Sequence, residues 1–143
     1  MIPLPPLYLL HPVAVHFPIA LLTVGWVAAE IAAYRNRPQW LSDATSWILW
    51  LGTAAAWVAV GLGLLAEDKV PHVPSAWRTM ETHETLAFWA AGSFTVLSLW
   101  RWRMGREHER LFLFLWLAAM CALLATGYYG GGLVFTYGVG FQK

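Results

Sequence analysis

Hydrophobic residues form four long blocks along this chain, at about residues 13 to 34, 45 to 66, 85 to 102 and 110 to 128. Short polar segments separate the blocks. Each block is long enough to cross a hydrocarbon core of about 30 Å as an α-helix. The pattern therefore predicts an all-α protein, a four-helix transmembrane bundle that forms one integral membrane domain over residues 1 to 143.

The composition supports a membrane protein and excludes several other classes. Hydrophobic residues make up 59% of the chain and charged residues 12%. A net charge of +1 with no basic stripe argues against binding to nucleic acid. Cys121 is the single cysteine, which excludes an internal disulfide and Cys-x-x-Cys chemistry. The proline-rich start lacks the basic region and the cleavage site of a signal peptide, so we expect none.

The basic residues predict how the helices are oriented. The connections at one side of the membrane carry Arg35, Arg37, Arg101, Arg103, Arg106 and Arg110, and the other side carries only Lys69, Arg78 and Lys143. Because positive charge marks the cytoplasmic side, we expect both termini and the loop from 67 to 82 to lie outside. The predicted location is the bacterial inner membrane, with multiple spans and with both termini in the periplasm.

Histidines are the main candidates for chemistry, because an imidazole in a membrane needs a polar partner or a metal. The outer end of the predicted bundle carries four of the five histidines, namely His11, His16, His72 and His83. Only His108 lies on the inner side, where we expect a solvated loop residue.

His16 and His83 are the predicted axial ligands of one b-type haem. Each is followed by small residues on the same helix face, Ala20 after His16 and Ala87 after His83, which would leave a slot for a flat macrocycle. Glu84, Thr82 or a main-chain carbonyl freed by Pro18 is expected to fix the second ring nitrogen. The alternative is that small residues serve close helix packing and that an interfacial histidine only forms a hydrogen bond.

His11 lies five residues before His16 and is therefore rotated by about 140° around a helix axis. We expect it to touch the cofactor edge or to ligate a second centre with His72, although a surface position suits His72 better. A periplasmic-side zinc or copper site built from His11, His16, His83 and Glu84 is the competing interpretation.

The C-terminal segment from 127 to 141 is rich in glycine and also carries apolar side chains. Glycine permits close backbone approach, and the apolar residues disfavour a tail left in water. The segment from 130 to 141 is therefore predicted to fold over the outer mouth of the bundle as a cap.

Three segments together resemble the DUF2231 family of small bacterial membrane proteins. They are the opening motif from His11-Pro12 to Leu21, His83 at the start of the third block, and the glycine pattern from 131 to 140. The resemblance implies that His11, His16 and His83 are family positions. Tyr137 stands where the family tail usually has a histidine, so a role of that histidine does not carry over, and Tyr137 is counted among the expected cofactor contacts. Fusion of some members to Rieske domains implies membrane electron transfer.

The sequence thus predicts an electron-transfer subunit without independent catalytic activity. The expected partners are membrane lipid and a periplasmic cytochrome c, a Rieske-type protein or a larger respiratory or photosynthetic complex. The alternatives are a non-redox accessory subunit of a larger membrane complex and the zinc or copper protein.

Overall fold

A computed structural model describes residues 9–34, 39–70 and 72–140. These residues form five α-helices: α1 (Leu10–Ala14), α2 (His16–Tyr34), α3 (Gln39–Glu67), α4 (Trp77–Met104) and α5 (Glu109–Phe135). A 3₁₀ turn at Pro74–Ala76 leads into α4, and no strand occurs within the described residues. The predicted all-α class is confirmed.

The first predicted span is divided at a single residue, Val15, which keeps right-handed helical angles (φ −62°, ψ −22°). Pro18 has no N–H to donate to the carbonyl of Ala14, and its ring crowds that carbonyl, so α1 ends there and α2 begins at His16. The other three helices extend further than the hydrophobic blocks did. At about 1.5 Å per residue, their 29, 28 and 27 residues measure roughly 40 Å, more than the hydrocarbon thickness of about 30 Å.

Among the described residues, three segments are long and apolar enough to span a membrane: Leu10–Tyr34, Gln39–Glu67 and Glu109–Phe135. The remaining long helix, α4, contains tryptophan, serine and threonine among its apolar residues, which lowers its hydropathy. A fourth crossing through α4 stays a prediction.

The long helices pack into a bundle in which α2 lies on α3 and α4 lies on α5, and contacts between α3 and α4 and between α2 and α5 close it. The largest fully buried side chains in the bundle are Leu22, Leu49, Phe94, Phe112 and Trp116. Glycine allows close approach between α2 and α3, since a Cβ on Gly52 would lie 2.7 Å from Leu22. Indole N–H groups also join helices, as Trp26 does by donating to the Leu113 carbonyl at 3.0 Å.

The two ends of the bundle differ in chemistry. We call the end formed by the starts of α1 and α4 and the finishes of α3 and α5 the histidine end. At the opposite, arginine end, Arg101 donates two hydrogen bonds of 3.0 and 3.1 Å to the carboxylate of Glu109 and lies 4.0 Å over the ring of Phe112. Arg106 bonds to Ser42 on α3 and to Glu109.

The glycine-rich segment is helical at first, and this differs from the prediction that the span ends near residue 128. Helix α5 continues through Gly130, Gly131 and Gly132 to Phe135. The chain then turns, with the Val139 N–H donating to the Leu133 carbonyl at 2.9 Å and with Gly138 and Gly140 at positive φ. This turn brings Val139 and Gly140 back to the histidine end.

Candidate cofactor site

A cavity of about 530 Å³ lies at the histidine end, between α1, α3, α4, the last turns of α5 and the turn that follows α5. This volume is within the range of about 300–1,000 Å³ typical of small-molecule and cofactor sites. Most of its wall is formed by apolar side chains, among them Leu9, Val60, Leu64, Phe88 and Leu133. The polar side chains that line it within the described residues are His11, Glu67, His83 and Glu84.

His11 reaches the cavity from α1 because it continues the buried face of α2. The buried residues of α2 are Pro18, Leu22, Gly25, Ala29 and Ala32, spaced alternately by four and three. Extending that spacing backwards from Pro18 leads to residues 15 and 11, so His11 faces the bundle. The Nδ1 atom of His11 lies 2.9 Å from the main-chain oxygen of Ala59 on α3.

His83 occupies the matching position on α4. Ala90 and Phe94 of the same face are buried, and Ala87 lines the cavity. The Nδ1 atom of His83 lies 2.9 Å from the main-chain oxygen of Thr126 on α5. Carbonyls of the neighbouring helices, rather than Glu84, Thr82 or a carbonyl near Pro18, hold the second ring nitrogen.

The two rings lie beside each other edge to face, with centroids 6.1 Å apart and planes at 82°. A carbonyl oxygen can only accept, so in each ring Nδ1 carries the proton and donates it to the carbonyl. In the neutral imidazole Nε2 is then the atom with the free lone pair. Each histidine is therefore held in the tautomer that ligates a metal through Nε2.

Two carboxyl groups belong to the same cavity. Glu84 follows His83 on α4, just before the predicted span from 85 to 102, and Glu67 is the last residue of α3. A hydrogen bond to Glu67, together with burial, raises the pKa of Glu84 to about 7. Burial lowers the pKa of His83 and so favours the neutral imidazole, and the hydrogen bond to the Thr126 carbonyl opposes this effect only in part. The cavity side chains thus offer lone pairs and carboxylate oxygens.

The structure separates the two histidines that were predicted to act together. His16 is exposed, and its Nδ1 lies 3.3 Å from the main-chain oxygen of Val13 on α1. Ala20, on the same face as His16, is also exposed. Neither residue lines the cavity. The ring beside that of His83 is the ring of His11. The rotation of about 140° between His11 and His16 lets only one of these two histidines face the bundle.

The other predicted residues lie around the cavity or away from it. His72 is exposed and stacks on Trp77 with centroids 6.0 Å apart, beside a small cavity of about 30 Å³ that adjoins the main one through Glu67 and Val139. The Tyr137 hydroxyl accepts a 3.5 Å hydrogen bond from Thr79, outside the cavity wall. His108 is exposed beyond the arginine end, as expected.

Sequence reasoning missed Glu67, Gly63 and Gly130. Both glycines pack against the histidine rings. A Cβ on Gly63 would lie 3.0 Å from Cε1 of His11, and a Cβ on Gly130 would lie 3.0 Å from Cε1 of His83. The signal was available in the spacing, since Gly63 follows Gly52, Ala56 and Ala59 on one face of α3.

Within residues 9–34, 39–70 and 72–140, no group of three or more histidine, cysteine, aspartate or glutamate side chains lies close enough to hold a metal ion. The cavity instead offers a pair of imidazoles.

Comparison with known proteins identifies the family. The profile of the family described as "Predicted membrane protein (DUF2231)" matches residues 8–143. The chain belongs to this family, which confirms the resemblance seen in its motifs. No match was found among curated proteins or among solved structures.

Proposed function

We propose that the cavity at the histidine end binds a b-type haem through His11 and His83, and that the protein is an electron-transfer subunit of the membrane. The observation that carries the proposal is the pair of imidazoles 6.1 Å apart, each with Nδ1 bound to a carbonyl of the neighbouring helix. With metal–nitrogen bonds of about 2.0 Å, two imidazoles on opposite sides of one metal place their centroids roughly 6 Å apart.

The number of ligands favours haem over a bare metal ion. A porphyrin supplies four nitrogens, so two axial histidines complete the iron coordination. A zinc site needs three or four protein ligands. His11, His83, Glu67 and Glu84 do share one cavity, so a zinc or copper site formed by movement of a carboxylate is the second candidate.

The cavity wall suits a macrocycle. Its apolar side chains, its volume of about 530 Å³ and Ala87 beside His83 would bury a flat ring and exclude water. Bound haem would accept and release one electron, and the protein would supply ligands, burial and a low dielectric.

The membrane setting gives the proposed direction of electron exchange. Leu10–Tyr34, Gln39–Glu67 and Glu109–Phe135 make the chain a membrane protein in contact with lipid. With the arginine end in the cytoplasm, the histidine end and both termini lie on the periplasmic side of the bacterial inner membrane. The proposed partner is a periplasmic cytochrome c, a Rieske-type protein or a larger respiratory or photosynthetic complex, and the carrier would have no independent catalytic activity.

Spectroscopy of histidine variants tests the proposal. The detergent-purified protein, with hemin added where it is isolated without pigment, is expected to give a low-spin b-type spectrum that sharpens on reduction with dithionite. His11→Ala and His83→Ala should each lose haem or become high-spin, because one axial position opens. His16→Ala is the matched control from the same helix region, and it should keep the wild-type spectrum because His16 is exposed.

Three outcomes would contradict the proposal. Loss of haem in His16→Ala with retention in His11→Ala would mean that His16 and His83 are the pair. Stoichiometric zinc or copper without a porphyrin spectrum, lost in His11→Ala and His83→Ala, would support the metal site. A colourless protein that takes up neither hemin nor metal would support the non-redox accessory subunit.

A further inference from the structure

The contact made by His11 is repeated by His83 in the other half of the chain. In the first half the ring bonds to the carbonyl of Ala59 and lies against Gly63, four residues later. In the second half the ring bonds to the carbonyl of Thr126 and lies against Gly130, again four residues later. One contact joins α1 to α3 and the other joins α4 to α5.

Helix geometry explains why the glycine follows four residues after the carbonyl. A helical carbonyl points along the axis towards the N–H of the residue four positions later. An imidazole that donates to the second lone pair of that oxygen must therefore lie beside the Cα of this later residue. A side chain there would occupy the volume of the ring.

We propose that Gly63 and Gly130 are positioning residues that hold the His11 and His83 imidazoles at the cavity, and that the two helix pairs supply equivalent halves of one two-ligand site. The proposal rests on the proposed function only in assigning one shared ligand to both rings.

The distances give the constraint on each ring. A Cβ on Gly63 would lie 3.0 Å from Cε1 and 3.2 Å from Nδ1 of His11, and a Cβ on Gly130 would lie 3.0 and 3.3 Å from the same atoms of His83. Contacts this short require the ring to shift by a few tenths of an ångström. Since Nδ1 is bound to a carbonyl at 2.9 Å, the shift must strain or break that bond.

Each helix contains its own control glycine. Gly61 on α3 and Gly132 on α5 have no atom within 4 Å of a built Cβ. Replacing glycine by alanine raises the intrinsic helix propensity by the same amount at all four positions. Any difference between Gly63→Ala and Gly61→Ala, or between Gly130→Ala and Gly132→Ala, therefore reports the contact with the ring.

The first measurement uses the haem-free protein in detergent and nitrogen NMR of its histidines, with signals assigned from His11→Gln and His83→Gln. We expect Nδ1 to carry the proton in both wild-type rings. Gly63→Ala should shift the signals of His11 alone, Gly130→Ala those of His83 alone, and the two control variants neither. An Nε2–H tautomer in the wild-type rings, or equal spectra for Gly63→Ala and Gly61→Ala, would overturn the positioning role.

The second measurement is hemin affinity with the low-spin spectrum as readout. Groups that orient a metal-binding histidine typically change metal affinity roughly 10- to 100-fold when altered, so we expect a loss of that size in Gly63→Ala and in Gly130→Ala. Unchanged affinity in both variants would overturn the inference. A different result would be that the wild-type protein binds no hemin while Gly63→Ala and Gly130→Ala still shift the histidine NMR signals. That result would contradict the proposed function and leave the positioning role standing.

A double variant covers the case in which an alanine prevents folding. Combining Gly63→Ala with His11→Ala removes the ring that the new methyl group meets. The double variant should therefore accumulate to the same level as His11→Ala alone and unfold at the same temperature. Equal damage by Gly63→Ala with and without the His11 ring would overturn the inference.

Discussion

Neutralising Glu109 while keeping its shape is expected to destabilise the arginine end of the bundle. The Arg101 side chain is only 4% exposed, and Glu109 accepts one hydrogen bond from each of its two terminal nitrogens. Glu109→Gln removes the negative charge, and it leaves the buried guanidinium beside the Phe112 ring without a counter-charge. Loss of one partner from a buried ion pair is strongly destabilising because the other charge stays desolvated.

The magnitude follows from the burial of the two groups. Breaking a buried pair costs about 3–5 kcal/mol, and the 18% exposure of Glu109 favours the lower end, about 3 kcal/mol. For a chain of this length that cost corresponds to a Tm lower by about 10 °C. Thermal unfolding in detergent, followed by the fluorescence of the ten tryptophans, measures it.

Two further variants make the test decisive. Glu107→Gln changes the same charge on the exposed segment before α5, and it should alter stability by no more than about 0.5 kcal/mol. Adding Arg101→Met to Glu109→Gln removes the stranded charge and should recover much of the lost stability. Equal Tm values for Glu109→Gln and Glu107→Gln would refute the reasoning, because they would mean that water screens Arg101.

Two other predictions concern orientation and helix packing. A C-terminal alkaline phosphatase fusion should be active because both termini are expected in the periplasm. Fluorescence from a green fluorescent protein fused at the same point would mean that the topology is the reverse. Gly52→Ala should cost about 1–3 kcal/mol because its Cβ would lie 2.7 Å from the fully buried Leu22. Gly92→Ala, with no atom within 4 Å, is the control in the same unfolding assay, and equal midpoints would contradict the packing argument.

The sequence predicts the helices and the face of α4 on which His83 lies. Hydrophobic blocks near twenty residues long identify the helices because a membrane requires every backbone group to be bonded within a helix. Ala87, Ala90 and Phe94 recur at helical spacing after His83 and mark the face of α4 on which it lies. These signals are local, so they do not depend on how the helices pack together.

The choice between His11 and His16 depended on packing. His16 lies deeper in the hydrophobic block, but the small or proline residues Pro18, Gly25 and Ala32 recur every seven residues, and His11 is the preceding member of that series. This series marks the face that packs in the bundle. The carbonyl that holds each ring depends on the register between two helices, which a single sequence does not contain.

The glycines of the C-terminal segment have two different structural roles. Their density suggested a loop, yet within the membrane an uninterrupted helix bonds its own backbone groups, and α5 continues to Phe135. Gly130 serves close approach of the His83 ring, whereas Gly138 and Gly140 adopt positive φ in the turn that follows. Only three-dimensional contacts distinguish these roles.

The turn after α5 is expected to retain the bound cofactor. The Val139 N–H donates to the Leu133 carbonyl at 2.9 Å, and Val139 and Gly140 form part of the cavity wall. A stop codon after Phe135 removes this wall and keeps Gly130, which contacts His83. Because both proposed ligands remain, the truncated protein should show the wild-type low-spin spectrum but release haem severalfold faster to an apomyoglobin acceptor. Since the wall acts by excluding water and blocking exit, an unchanged release rate would show that the turn does not cover the site.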